Sequence, residues 1–91
     1  MGKAYAAKVK VVNRLGLHAR PATAVADLAQ QFKSTVVLRR DGEEIDGKSI
    51  MQIMLLAATQ GVELEVVACG EDAQEACDAL CDLFARGFDE E

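Results

Sequence analysis

The stretch Val9-Lys10-Val11-Val12-Asn13-Arg14-Leu15-Gly16-Leu17-His18-Ala19-Arg20-Pro21 changes its hydrophobic period partway along. On its upstream side Tyr5, Ala7, Val9 and Val11 alternate with Ala6, Lys8 and Lys10. That period of two marks a half-buried strand. Asn13 to Gly16 break the alternation. From Ala19 onward Ala22, Val25, Leu28, Ala29 and Phe32 recur at the spacing of one helix face. Pro21 falls in the first turn of that helix, where a missing N–H is harmless. A strand leading through a short turn into an amphipathic helix is the opening unit of an α/β domain.

The rest of the chain continues the pattern. Thr35 to Arg40 is rich in β-branched residues and reads as a second strand. Asp41-Gly42 signals a hairpin, with Glu43 to Asp46 as the short return strand. Ser49 is a good N-cap for a second helix running to about Gln60, with Gly61 at its stop. Val62, Leu64, Val66 and Ala68 alternate with Glu63, Glu65 and Val67 as a fourth strand. A last helix would bury Ala73, Ala76, Cys77, Leu80, Phe84 and Phe88, leaving Asp89-Glu90-Glu91 as a frayed tail. The order is β-α-β-β-α-β-α. Alternation in strands one and four implies a sheet with one covered face. Three helices on that face make an α/β two-layer sandwich, with residues 1–91 as one domain.

Composition narrows the function. With 91 residues the chain can build one core and bury about 60–65% of its unfolded surface. Ten basic against fifteen acidic residues leave a net charge of −5, which argues against nucleic acid or an anionic membrane as partner. No apolar run approaches a membrane span, and the N-terminal residues lack a signal peptide's apolar core, so residence in the cytoplasm is expected. Cys69, Cys77 and Cys81 form no Cys-x-x-Cys pair. Cys77 and Cys81 share a helix face, either as half a metal site or as small core residues; core packing is the expected role, with no metal or cofactor.

The second helix has two apolar stripes at ~100° per residue. Ile53, Leu56 and Ala57 suit the core, while Ile50, Met51, Met54 and Ala58 lie about a third of a turn round. The second stripe is either an adaptable docking surface or the mark of a helix buried on several sides.

His18 is the only histidine and stands where the first turn becomes a helix. A helix start offers unpaired N–H groups and a partial positive charge, a ready anion site. The dipole, about 0.3–1 kcal/mol and up to ~2 when partly buried, favours the neutral imidazole, a nucleophile at neutral pH. Arg20 carries a planar fork suited to phosphate oxygens. Gly16 leaves room for a partner's backbone. The segment therefore reads as a candidate phosphohistidine site.

Gly16-Leu17-His18-Ala19-Arg20-Pro21, together with Gly47-Lys48-Ser49-Ile50-Met51, the chain length and the element order, resembles HPr, the phosphocarrier family of the bacterial phosphoenolpyruvate-dependent phosphotransferase system. The resemblance implies a four-stranded antiparallel sheet of order 1-4-2-3 under three helices. It implies that His18 takes a phosphoryl group on Nδ1 from the phosphohistidine of enzyme I and passes it to an EIIA-type domain, with Arg20 steadying the phosphate. Ser49 matches the serine phosphorylated by HPr kinase/phosphorylase. Ala19 and Thr23 match the first-helix part of the partner interface, and Ile50, Met51 and Met54 its apolar patch. The protein would act as a monomer and a carrier, not an enzyme. Ala24 and Asp27 stand where sugar-transport members often carry basic residues, and Leu83 to Glu91 resembles the nitrogen-branch paralogue, NPr. An NPr-like regulatory carrier is thus the alternative within the family. Two rivals lie outside it. One is a small enzyme using His18 as general base, for which the chain offers no other histidine and no evident carboxylate dyad. The other is an interaction module in which His18 only caps a helix.

Overall fold

A computed structural model describes residues 3–90 of the chain. In order it comprises β1 (Lys3–Lys10), α1 (Ala19–Ala29), β2 (Thr35–Arg40), β3 (Glu43–Asp46), α2 (Ile50–Leu55), β4 (Glu63–Gly70) and α3 (Ala73–Ala85), closed by a 3₁₀ turn at Gly87–Asp89. The strands form one antiparallel sheet in the order β1-β4-β2-β3. Element order and sheet order both match the expectation.

Register follows from the alternation. Val9 pairs with Leu64, Val66 with Leu38 and Leu38 with Ile45, which puts one apolar row under the helices. Val36, Leu38, Leu64, Val66 and Ala68 are buried there. The facing helices contribute small residues: Ala22, Ala26 and Ala29 of α1 and Ala73 and Ala76 of α3 are almost fully enclosed. Short side chains let both helices lie close to the sheet, and the larger Val25, Leu80 and Phe84 fill the space between. The opposite face is a polar ladder. Lys8, Glu65, Arg39 and Glu44 lie in register across four strands, and Arg39 pairs with both glutamates at 2.9 and 2.7 Å.

Four expectations need correcting. The second helix ends at Leu55 instead of near Gln60, because Ala57 turns into the left-handed region at φ 49°. The physical cause is tertiary. Ala58 O accepts from Leu17 N at 2.9 Å, Gly61 N donates to Val11 O at 2.7 Å and Val11 N donates to Val62 O at 2.9 Å. These bonds commit the segment to the β1–α1 loop. Ala57 is therefore exposed and Ala58 buried, the reverse of the helical wheel.

Phe88 does not continue α3. Gly87, Phe88 and Asp89 all take left-handed φ values of 63°, 60° and 59°, and the chain folds back. That turn puts Phe88 into the core, edge-on to Phe84 with ring centroids 4.9 Å apart. The expected frayed tail is correspondingly tied down as far as Glu90; Glu91 lies outside the described residues.

Candidate functional site

His18 is the N-cap of α1, with extended backbone at φ −76° and ψ −171°. Its carbonyl accepts the first helical bond, from Ala22 N at 3.0 Å. The N–H groups of Ala19 and Arg20 precede that bond, and Pro21 has none to offer, so the helix start faces outward with unsatisfied donors. The loop before it is held by the core. Leu17 is buried, and its N–H bond to Ala58 O sets the entry angle. Gly16 explains why that bond can form. Its φ is 71°, and a Cβ there would come within 2.5 Å of Ala58 O. The close approach expected of Gly16 is thus to this chain's own backbone.

The imidazole is about a third exposed, at 36% of its side-chain surface. Nε2 lies 2.8 Å from Glu90 Oε1. The same Oε1 accepts from Asn13 Nδ2 at 2.8 Å, and Asn13 Nδ2 also donates to Gly16 O at 2.7 Å. The Glu90 carboxyl is held below the usual carboxylate range, first by its hydrogen bond with His18, then by Asn13 and the nearby Arg20 charge. Local sequence patterns hid both residues. Asn13 sat inside a turn signal and Glu90 in a tail 72 residues from its partner.

Arg20 is exposed on the first turn, with no carboxylate at ion-pair distance among the described residues. Ala19 is exposed beside it, and Thr23 is half-buried one turn on, its hydroxyl donating to Ala19 O at 2.8 Å. Asp27 is exposed and Ala24 half-buried.

Ser49 is the N-cap of α2, its Oγ accepting from Gln52 N at 3.2 Å. Gln30 Nε2 donates to Lys48 O and Lys48 Nζ to Phe32 O, joining this helix start to the end of α1. On α2, Ile50, Met51, Met54 and Leu55 are 37, 77, 43 and 78% exposed, whereas Ile53 is fully buried. At helical spacing the first four share one face. Leu55 was missed in the sequence, although a helix ending at Leu55 puts it on the same outward arc. Leu15, 67% exposed in the loop before His18, is a further large apolar side chain in solvent.

Cys77 is buried in α3, and desolvation, with help from Cys81, pushes its thiol up to about 11. A thiol held protonated packs as a small hydrophobe. No helix among the described residues is long and apolar enough to cross a membrane.

The family described as "PTS HPr component phosphorylation site" matches residues 5–86. The chain is 44% identical over 85 residues to the phosphocarrier protein NPr of Proteus mirabilis, covering 92% of this chain and 94% of that one. It is 45% identical over 83 residues to the phosphocarrier protein HPr of Treponema pallidum, covering 91% and 94%. The crystal structure of HPr-C-His from Thermoanaerobacter tengcongensis superposes with a TM-score of 0.91 at 38% identity, over 96% of this chain and 98% of that one. With likeness running from β1 to the end of α3, the chain belongs to the HPr family of phosphocarrier proteins, which carry a phosphoryl group and are not enzymes.

Proposed function

We propose that His18 is the phosphoryl acceptor, taking the group on Nδ1 from the phosphohistidine of enzyme I and delivering it to an EIIA-type domain. The observation that carries this reading is the placement of the ring. It stands about a third exposed at a helix start, and Nε2 is engaged by Glu90, so Nδ1 is the nitrogen left for chemistry. Neutral imidazole attacks phosphorus through Nδ1 as the donor's N–P bond breaks. The phosphoryl oxygens then meet the free N–H groups of the first turn and the Arg20 guanidinium. The helix-start term is modest, about 0.3–1 kcal/mol, which suits a group that must be handed on. Incubation with enzyme I and phosphoenolpyruvate tests the reading: an acid-labile, base-stable adduct forms on the parent and is absent from His18→Ala, and labelling that persists in the variant overturns it. Arg20→Ala slows transfer without abolishing it, since the lost charge-assisted bonds are worth about 1.5–3 kcal/mol and the N–H donors remain.

The exposed arc Ile50, Met51, Met54 and Leu55 is the docking patch of this reading, with Ala19 and Thr23 at its α1 edge. Ser49 is its regulatory site, phosphorylated by HPr kinase/phosphorylase. Two observations support that role: its hydroxyl sits at the α2 start, and the next two residues are exposed and apolar. Phosphate there adds about −1.5 to −2 charges at the rim of an apolar surface and repels acidic partners over ~8 Å. Ser49→Asp therefore weakens enzyme I binding several-fold in titration while the melting temperature holds. Unaltered affinity, with no phosphate on Ser49 after kinase and ATP, leaves it only a cap.

A second reading, an NPr-like regulatory carrier, draws on α1. Asp27 is exposed there, and the last turn carries no basic residue. With Arg20 balanced by Asp27, α1 lacks the net positive charge with which a basic helix attracts acidic partners. Transfer rates from the phosphorylated protein to nitrogen-branch and sugar-branch EIIA domains separate the two readings.

A further inference from the structure

The Asn13–Glu90–His18 chain is unexplained by an exposed nucleophile alone, and this inference rests on the reading of His18 as phosphoryl acceptor. Asn13 is 98% enclosed, yet its Oδ1 finds no donor among the described residues. An unpaired buried carbonyl of this kind costs about 1–3 kcal/mol. The opposite amide orientation is worse, because it would set Oδ1 against two acceptors, Gly16 O and Glu90 Oε1. Asn13 is therefore locked as a double donor, and what it holds in place is the Glu90 carboxylate. The backbone that delivers Glu90 is also costly: Phe88 and Asp89 both sit at positive φ. Two local costs converge on one oxygen, 2.8 Å from the ring nitrogen.

We propose that Glu90 is a positioning residue for phosphoryl transfer, its carboxylate fixed by Asn13 so as to hold His18 with the proton on Nε2 and the lone pair on Nδ1. An ionised carboxylate can only accept, so Nε2 must be the donor. When Nδ1 bonds to phosphorus and the donor's N–P bond breaks, positive charge develops on the ring while the Nε2 proton stays in place. Glu90 lies against that charge. On delivery the Nδ1–P bond breaks, and the ring leaves as neutral imidazole, still carrying the Nε2 proton. The carboxylate thus orients the ring and stabilises its charged form, the part an orienting carboxylate plays beside any histidine whose other nitrogen does the chemistry. Arg20 and Asn13 are the other polar groups that face it.

Steady-state labelling of the full chain by enzyme I and phosphoenolpyruvate tests this, with Glu90→Gln, Glu90→Ala and His18→Ala beside the parent. Glu90→Gln keeps the shape and one acceptor but removes the charge. Its kcat falls about tenfold, the size of a lost charge-assisted bond, with KM for the carrier and the melting temperature unchanged. Glu90→Ala falls at least as far. A purely structural role would move melting temperature and KM instead. Parental kcat in both Glu90 variants overturns the inference but leaves the acceptor reading standing if His18→Ala is unlabelled. Labelling of His18→Ala overturns the acceptor reading. One readout needs no transfer: the Glu90 carboxyl, followed by carbon NMR, titrates below ordinary glutamate in the parent and moves up toward the ordinary range in His18→Ala, with Asn13 and Arg20 still lowering it. An ordinary midpoint in the parent shows that the contact does not form in solution, and overturns the inference on its own.

Discussion

Asp72 carries out at the residue scale what no element does alone. Its carboxylate accepts from Lys33 N and Ser34 N at 2.9 Å each and from Ser34 Oγ at 2.6 Å, tying the turn after α1 to the turn before α3. Those bonds, the Ser34 hydroxyl foremost, lower its pKa from 3.8 to about 2. Since the folded value is depressed, the contribution is fully present above about pH 4 and drains away as pH falls toward 2. Asp72→Asn should therefore melt several degrees below the parent at pH 7, with the gap closing by pH 2; thermal melts across that range check it. The cysteines separate at the same scale. A thiol reagent at neutral pH should modify exposed Cys69 in the native state, while Cys77, buried and held protonated, reacts only on unfolding.

Among elements, the α2–β4 connection decides how the site loop is carried. Gly16 and Ala57 both sit at positive φ but face different surroundings. At Gly16 a methyl would collide with Ala58 O, so Gly16→Ala should cost more than about 2 kcal/mol, combining left-handed strain with a broken Leu17 to Ala58 bond. Ala57 is exposed, and Ala57→Gly relieves left-handed strain against a larger unfolded-state entropy, a net gain of about 0.5 kcal/mol. Urea denaturation of both variants tests the pair by sign as well as size. The exposed arc of α2 was legible as a second apolar stripe, but its length was not. Helix propensity through Leu56 and Ala57 yields to three tertiary hydrogen bonds that no local pattern records.

For the whole molecule, the tail closes the structure over the site. Phe88 anchors it beside Phe84, and Glu90 reaches His18 from there. Phe88→Ala should release that closure. Amide exchange would show protection lost from Gly87 onward while the sheet stays protected, and labelling of the proposed acceptor His18 should slow, as expected of Glu90→Ala. Retained tail protection would show that Glu90 and Asn13 hold the segment without the core anchor.

By itself the sequence determined the periodic part of this protein. The alternation Val9-Lys10-Val11, the helical spacing of Ala22, Val25 and Ala29, and the Asp41-Gly42 turn are local statements, each satisfied by neighbours within one or two turns of chain. They yield the element order and the covered face, and the resemblance built on Gly16 to Pro21 yields the histidine. Only the tertiary structure decided where α2 stops, what Gly16 approaches and what Glu90 touches. Each of these turns on a hydrogen bond or contact between residues 41 to 77 positions apart, at Leu17 with Ala58, Gly16 with Ala58 and Asn13 with Glu90. Such contacts are set by the packed sheet and core, which hold segments distant in the chain side by side.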